Sequence, residues 1–210
     1  MKLLVLIMLL LPGAAGAAQA DSLSTDTVKA TPWEFSLSGY YYAFPETEDL
    51  VMAVARANHG ALHLEGRYNY EARRTASLFV GRNFSFGEGL SVEATPMAGV
   101  AFGDVQGIIP ALELSLGYRA LDFYAEGEYL FDLNDNSGNF AYTWLELAVT
   151  PMDLIRTGLV AQRLRPTEMS LDVDRGVFAQ LKPRFGIVSL YYFNPFSDSW
   201  ILTLGFELDW

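Results

Sequence analysis

The chain has no cysteine, so it holds no disulfide framework and no thiolate metal site. It has only two histidines, His59 and His63, which leaves little material for histidine-based acid–base chemistry. Basic residues are scarce: 14 Lys and Arg stand against 25 Asp and Glu, a formal charge of -11 that argues against nucleic acid as a partner. Beyond the first twenty residues, no apolar run reaches the ~18 residues that a membrane-spanning helix needs. Nor does any glycine-rich phosphate loop stand between a strand and a helix, so no cofactor is expected.

Apolar residues are nevertheless abundant, at 51% of the chain with 14% aromatic, and they are dispersed in short alternating runs. Lys2, the apolar run Leu3 to Leu11 and the small-residue site Ala18-Gln19-Ala20 read as a signal peptide over 1–20. Residues 21–31 read as a periplasmic lead-in, and 32–210 as one transmembrane β-barrel. Side chains alternate faces along a strand. Period-two dispersal therefore predicts strands with one oily and one polar face, the pattern of a membrane barrel.

Twelve such runs follow: Trp33–Ala43, Val51–Asn58, Leu62–Glu71, Ala76–Phe86, Leu90–Phe102, Ile109–Tyr118, Leu121–Leu133, Phe140–Val149, Leu154–Leu164, Gly176–Lys182, Ile187–Phe193 and Trp200–Trp210. Merging two weak runs, such as Val51–Asn58 with its neighbour, would give ten. The connections alternate in length. Asn58-His59-Gly60, Gly87-Glu88-Gly89 and Arg119-Ala120 are terse, while most others are longer and acidic. An even strand count with short periplasmic turns and longer outer loops is the rule for bacterial barrels. The sequence thus predicts a closed all-β antiparallel barrel of twelve strands.

In the last run, Leu202, Leu204, Phe206, Leu208 and Trp210 share one parity, while Thr203, Gly205, Glu207 and Asp209 take the other. This segment resembles the closing strand of bacterial outer-membrane barrels. The resemblance implies an outer-membrane location, contact with its lipid, and recognition of the five apolar residues by the barrel assembly machinery. Leu62-His-Leu-Glu-Gly-Arg-Tyr-Asn-Tyr-Glu71 followed by Ala76-Ser-Leu-Phe-Val-Gly-Arg-Asn-Phe84 resembles a hairpin of uncharacterised proteobacterial outer-membrane proteins. It implies fold and location and carries over no functional residue. Trp33, Tyr41, Tyr118, Tyr129, Trp200 and Trp210 lie near strand ends, where an aromatic girdle would meet the headgroups.

Function is expected on the polar parity. A charge on the lipid face costs about 2–4 kcal/mol for Arg or Lys at the midplane, so Glu65, Arg67, Glu93, Glu113, Arg119, Glu126, Glu128, Glu146 and Arg156 are assigned to the lumen. Two designs fit this list. One is a filled, non-conducting barrel of ion pairs. The other is a small porin-like channel whose surplus carboxylates favour cations or small polar solutes. No connection is long enough to fold in as a large plug, which favours the second. A hydrolase would need a serine beside an oriented histidine. His63 neighbours Glu65, with Ser77 or Ser85 on the next run, a pairing that is ordinary within a strand. Outer-membrane lipid hydrolases carry their triad on the lipid-facing surface, which a lumen histidine does not resemble, and no catalytic residue is assigned. Asp132, Asn134, Asp135, Asn136 and Gly138 lack the sixth-position glycine and the twelfth-position glutamate of a calcium loop; no metal site is expected.

Overall fold

The computed structural model describes residues 31–134, 138–166 and 173–210. The signal peptide and all but the last residue of the lead-in lie outside the described residues, as do 135–137 of the polar hairpin tip and 167–172 of the longest connection.

The described residues form thirteen strands: β1 Trp33–Ala43, β2 Leu50–His59, β3 Leu62–Tyr68, β4 Thr75–Arg82, β5 Phe84–Phe86, β6 Ser91–Gly103, β7 Gly107–Tyr118, β8 Leu121–Asp132, β9 Phe140–Met152, β10 Ile155–Pro166, β11 Asp174–Leu181, β12 Ile187–Phe193 and β13 Ile201–Asp209. They build twelve staves, because β4 and β5 are one stave with a break at Asn83. Gly81 pairs with Met97 and Phe84 with Ala94, so the register against β6 is unchanged across the break. Arg82, just before the break, lies opposite Pro96, which has no N–H to give to the ladder. Every neighbouring pair in the ring is antiparallel and consecutive in sequence, apart from the closure of β1 on β13. That seam runs from Ala43↔Leu202 to Ser36↔Asp209. Reciprocal bonds between Phe35 and Trp210, 2.9 and 3.0 Å, extend it.

Closure leaves no sheet edge to be satisfied by water, which hydrocarbon cannot supply. The faces are sorted accordingly. Val51, Leu78, Val100, Leu112, Leu147, Leu159, Val177, Leu190 and Leu204 are exposed on the outside. Glu65, Arg67, Glu126, Glu128, Glu146 and Arg156 are buried within. A wall that is oily outside and ionic inside is a membrane-spanning wall.

The two rims differ. Turns 60–61, 119–120 and 153–154 are tight, with Gly60 at φ 57° and Arg119 at φ 58°; this short-turn rim also carries the start of β1 and the end of β13. Loops 44–49, 69–74 and 194–200 lie at the opposite rim. Trp33, Tyr118 and Trp210 are exposed near the short-turn rim, and Tyr41 and Tyr129 toward the other. Trp200 departs from the expected girdle. It belongs to loop 194–200 rather than to a strand, and it is half-buried against a small cavity lined by Phe44 and Pro45.

The sorting of faces has a direct consequence. Leu112 sits mid-strand on the outer face of β7, so Leu112→Arg is expected to lower folding stability in lipid vesicles by about 2–4 kcal/mol. Urea titration of vesicle-folded protein measures this, and an unchanged midpoint would mean that Leu112 does not meet hydrocarbon.

Candidate functional site: the barrel lumen

Inward positions fall on even numbers in β1, β2 and β8 to β11, and on odd numbers in β3, β4, β6, β7, β12 and β13, as period two requires. Along the ring their burial changes with height. Toward the long-loop rim they are packed: Thr75, Ile109, Leu130, Phe193 and Thr203 are fully buried. Two apolar clusters fill this half. One joins Phe79, Met97, Ala101, Ile109, Leu130 and Phe140, and the other joins Trp144, Val160, Phe178, Tyr191 and Phe193. Gly99 permits the first, since a Cβ there would stand 2.4 Å from the Phe79 ring. No loop among the described residues forms a large plug; the wall's side chains supply most of the filling, joined by Tyr70 and Glu71 of loop 69–74.

Within the packed region Arg67 is the central group. Its guanidinium meets Glu128 at 2.8 Å, Glu126 at 3.0 Å and Glu71 at 3.8 Å, and its Nε donates to Glu65. The rings of Tyr70 and Phe79 flank it at 4.3 and 4.4 Å, within cation–π range. Four carboxylates thus surround one cation. Arg56 adds a second: its Nε donates to Glu65 at 2.6 Å and its Nη2 to Glu113 at 3.3 Å. These bonds cross the lumen. Arg67 on β3 reaches β8, with β4, β6 and β7 between them in the ring, and Arg56 on β2 reaches β7. The turn after β3 joins in. Tyr70 donates to Glu126 at 2.8 Å and packs edge-on against Tyr142, while Ser77 donates to Glu71 at 2.7 Å. Burial, set against the Ser77 hydrogen bond and the Arg67 charge, holds the Glu71 carboxyl above its ordinary range.

A second centre lies on adjacent staves. Arg156 donates to Glu146 and Asp122, each at 2.5 Å, and to Gln180 at 3.0 Å. Trp144 and Tyr191 donate to the other oxygen of Glu146, at 3.0 and 3.1 Å. Phe178 underlies the guanidinium at 4.9 Å.

Toward the short-turn rim the lumen opens into a cavity of about 490 Å³. Six carboxylates line it (Glu93, Glu113, Asp122, Glu126, Glu146 and Glu207) against three cations (Arg56, Arg156 and Lys182). The tyrosines Tyr40, Tyr124 and Tyr142 complete much of the wall. Glu93, near the mouth, has no hydrogen-bond or ion-pair partner among the described residues.

Of the residues assigned to the lumen from sequence, Glu65, Arg67, Glu113, Glu126, Glu128, Glu146 and Arg156 come together in these networks, and Glu93 stands apart at the mouth. Arg119 does not face the lumen. It occupies the exposed turn between β7 and β8 in left-handed conformation, over the ring of Tyr118 at 5.2 Å. A two-residue hairpin demands that conformation, and it removes the residue from the strand alternation. His63 is buried, with Nδ1 2.9 Å from Asn58 and Nε2 3.4 Å from Glu65. Ser77 donates to Glu71 instead of meeting it. His59 is exposed at the short-turn rim against Trp33. The aromatic lining was not assigned as a site from sequence, although parity alone would have turned Tyr124, Tyr142 and Trp144 inward.

No protein-family model and no curated protein matches the chain. Solved structures do. A KdgM porin in complex with disordered oligogalacturonate superposes with a TM-score of 0.60 at 11% identity, covering 82% of this chain and 98% of that one. A second KdgM porin structure gives 0.58 at 12% identity over the same shares. The chain has the fold of a bacterial outer-membrane porin.

The Arg67 centre sets a stability expectation. Arg67→Met would leave buried carboxylates uncompensated and is expected to cost about 3–5 kcal/mol. Adding Glu126→Gln and Glu128→Gln should restore much of that loss in urea titrations. A triple variant no more stable than Arg67→Met would show that charge compensation is not what Arg67 supplies.

Proposed function

We propose that the chain works in the outer membrane as a small porin-like passage for cations and small polar solutes, with its short-turn rim in the periplasm. The observation that carries this reading is the open cavity, where six carboxylates face three cationic groups. Charged walls around a narrow aqueous space raise the local concentration of counter-ions and favour their transit. Short turns on the periplasmic side are the rule for such barrels. Oligogalacturonate, with which one KdgM porin was solved, is a polyanion, and an acid-rich cavity opposes such a solute. The likeness in fold therefore does not extend to that ligand here.

Selectivity falls on Glu93, which has no partner among the described residues, and on Glu113, whose Arg56 lies 3.3 Å away and is shared with Glu65 at 2.6 Å. Glu65, Glu126, Glu128 and Glu146 are engaged by Arg67, Arg56 and Arg156, which reduces the share expected of them from sequence. Because the half toward the long-loop rim is packed, conduction requires side chains there to move, so openings should be brief and small. The same packing favours a second reading, a non-conducting structural barrel with an ion-paired lumen.

Planar-bilayer recording separates the two. The channel reading expects small cation-selective steps from the purified protein. Its reversal potential in a salt gradient should move toward non-selectivity in the Glu93→Gln, Glu113→Gln double variant. A silent barrel that is folded and inserted would favour the structural reading, and unchanged selectivity in the double variant would remove these two carboxylates from the path.

A further inference from the structure

The lumen handles its own guanidinium groups in one consistent way. Arg67 is held by carboxylates at 2.8 and 3.0 Å with rings at 4.3 and 4.4 Å. Arg156 repeats the arrangement with carboxylates at 2.5 Å and the ring of Phe178 at 4.9 Å. Each is a seat made of carboxylate and aromatic ring, the combination that stabilises a desolvated organic cation. The open cavity carries both components without enough resident cations. Among the described residues Glu93 has no partner and Glu207 accepts only from Ser38, while Glu113 shares Arg56 with Glu65. Tyr40 and Tyr124 stand in the same wall.

The size and the donor arrangement narrow the ligand. About 490 Å³ falls in the range of small-molecule sites and far exceeds what a bare ion fills. Among the described residues, no three His, Cys, Asp or Glu side chains are grouped as metal ligands. The cavity reaches the short-turn rim at Ser91, Gly117 and Lys182, whereas the opposite half is packed. We propose that this cavity binds a small organic cation, one bearing a guanidinium or primary ammonium group, and that the ligand enters from the short-turn rim. The proposal rests on the acidic-cavity part of the functional reading above, and its binding step does not require conduction.

Calorimetric titration of the folded barrel in detergent, at fixed ionic strength, tests it with agmatine as the probe and potassium and glutarate as controls. Agmatine should bind and glutarate should not. The Glu93→Gln, Glu113→Gln variant should lose about tenfold or more in affinity, as removal of charge-assisted contacts implies, while its far-UV spectrum and heat-modifiable gel shift confirm folding. In bilayers, agmatine should interrupt any current only from the short-turn side. Agmatine binding in a barrel that does not conduct would support this proposal and remove the channel reading. Cation-selective current with no agmatine binding beyond that of potassium would do the reverse. Affinity unaltered in the double variant would overturn the assignment of the site.

Discussion

The structure depends on one constraint: within hydrocarbon, each backbone N–H and C=O must find its partner in the chain itself. The seam between β1 and β13 meets that demand, and the reciprocal Phe35–Trp210 bonds carry it to the end of the chain. Once the ring is closed, period-two alternation has only two destinations, lipid and lumen. Polar side chains that would be costly outside are gathered inside, where they must be satisfied by one another. The ionic networks of Arg67, Arg56 and Arg156 are therefore consequences of closure as much as functional devices.

How the lumen is filled follows from which staves face each other. Basic residues on β2 and β3 look across at acidic residues on β7 and β8, so their bonds run through the interior instead of along the wall. Buried ion pairs of this kind add stability only when geometry repays desolvation. The aromatic partners on both sides of Arg67 help, because a ring face accepts a guanidinium without demanding a hydrogen bond. Carboxylates outnumber cations at both levels of the lumen, around Arg67 and around the cavity. Apolar filling by residues such as Phe79, Ile109, Leu130 and Phe193 separates the packed half from the cavity.

Much of this was legible in the sequence because period two is a local signal. Twelve staves, their antiparallel order and the inward parity of Glu65, Arg67, Glu126 and Glu146 needed only neighbouring residues to be read. What failed lay where the strand period stops. Arg119 and Trp200 are rim residues whose orientation is set by turn and loop geometry, and alternation carries no information past a strand's end. The break at Asn83 comes from Pro96 on the neighbouring stave, a cross-strand effect. The expectation of an open lumen rested on the absence of a long plug. It overlooked that wall side chains such as Phe79, Leu130 and Phe193 fill half the interior themselves. That filling depends on contacts across the ring, which no local pattern encodes. The partnership of Arg67 with Glu128 is equally non-local.

The central claim is that alternate residues of one stave meet oil and lumen. Because the chain has no native cysteine, single-cysteine variants at each position from 111 to 116 on β7 can carry a nitroxide without background. Collision rates with oxygen and with a water-soluble nickel complex, measured in lipid vesicles, report the two environments. The expected result is oxygen contact dominating at Leu112→Cys, Leu114→Cys and Leu116→Cys, with oxygen contact lower at Ala111→Cys, Glu113→Cys and Ser115→Cys. Nickel access at the even positions, or no alternation at all, would contradict an inside-out wall.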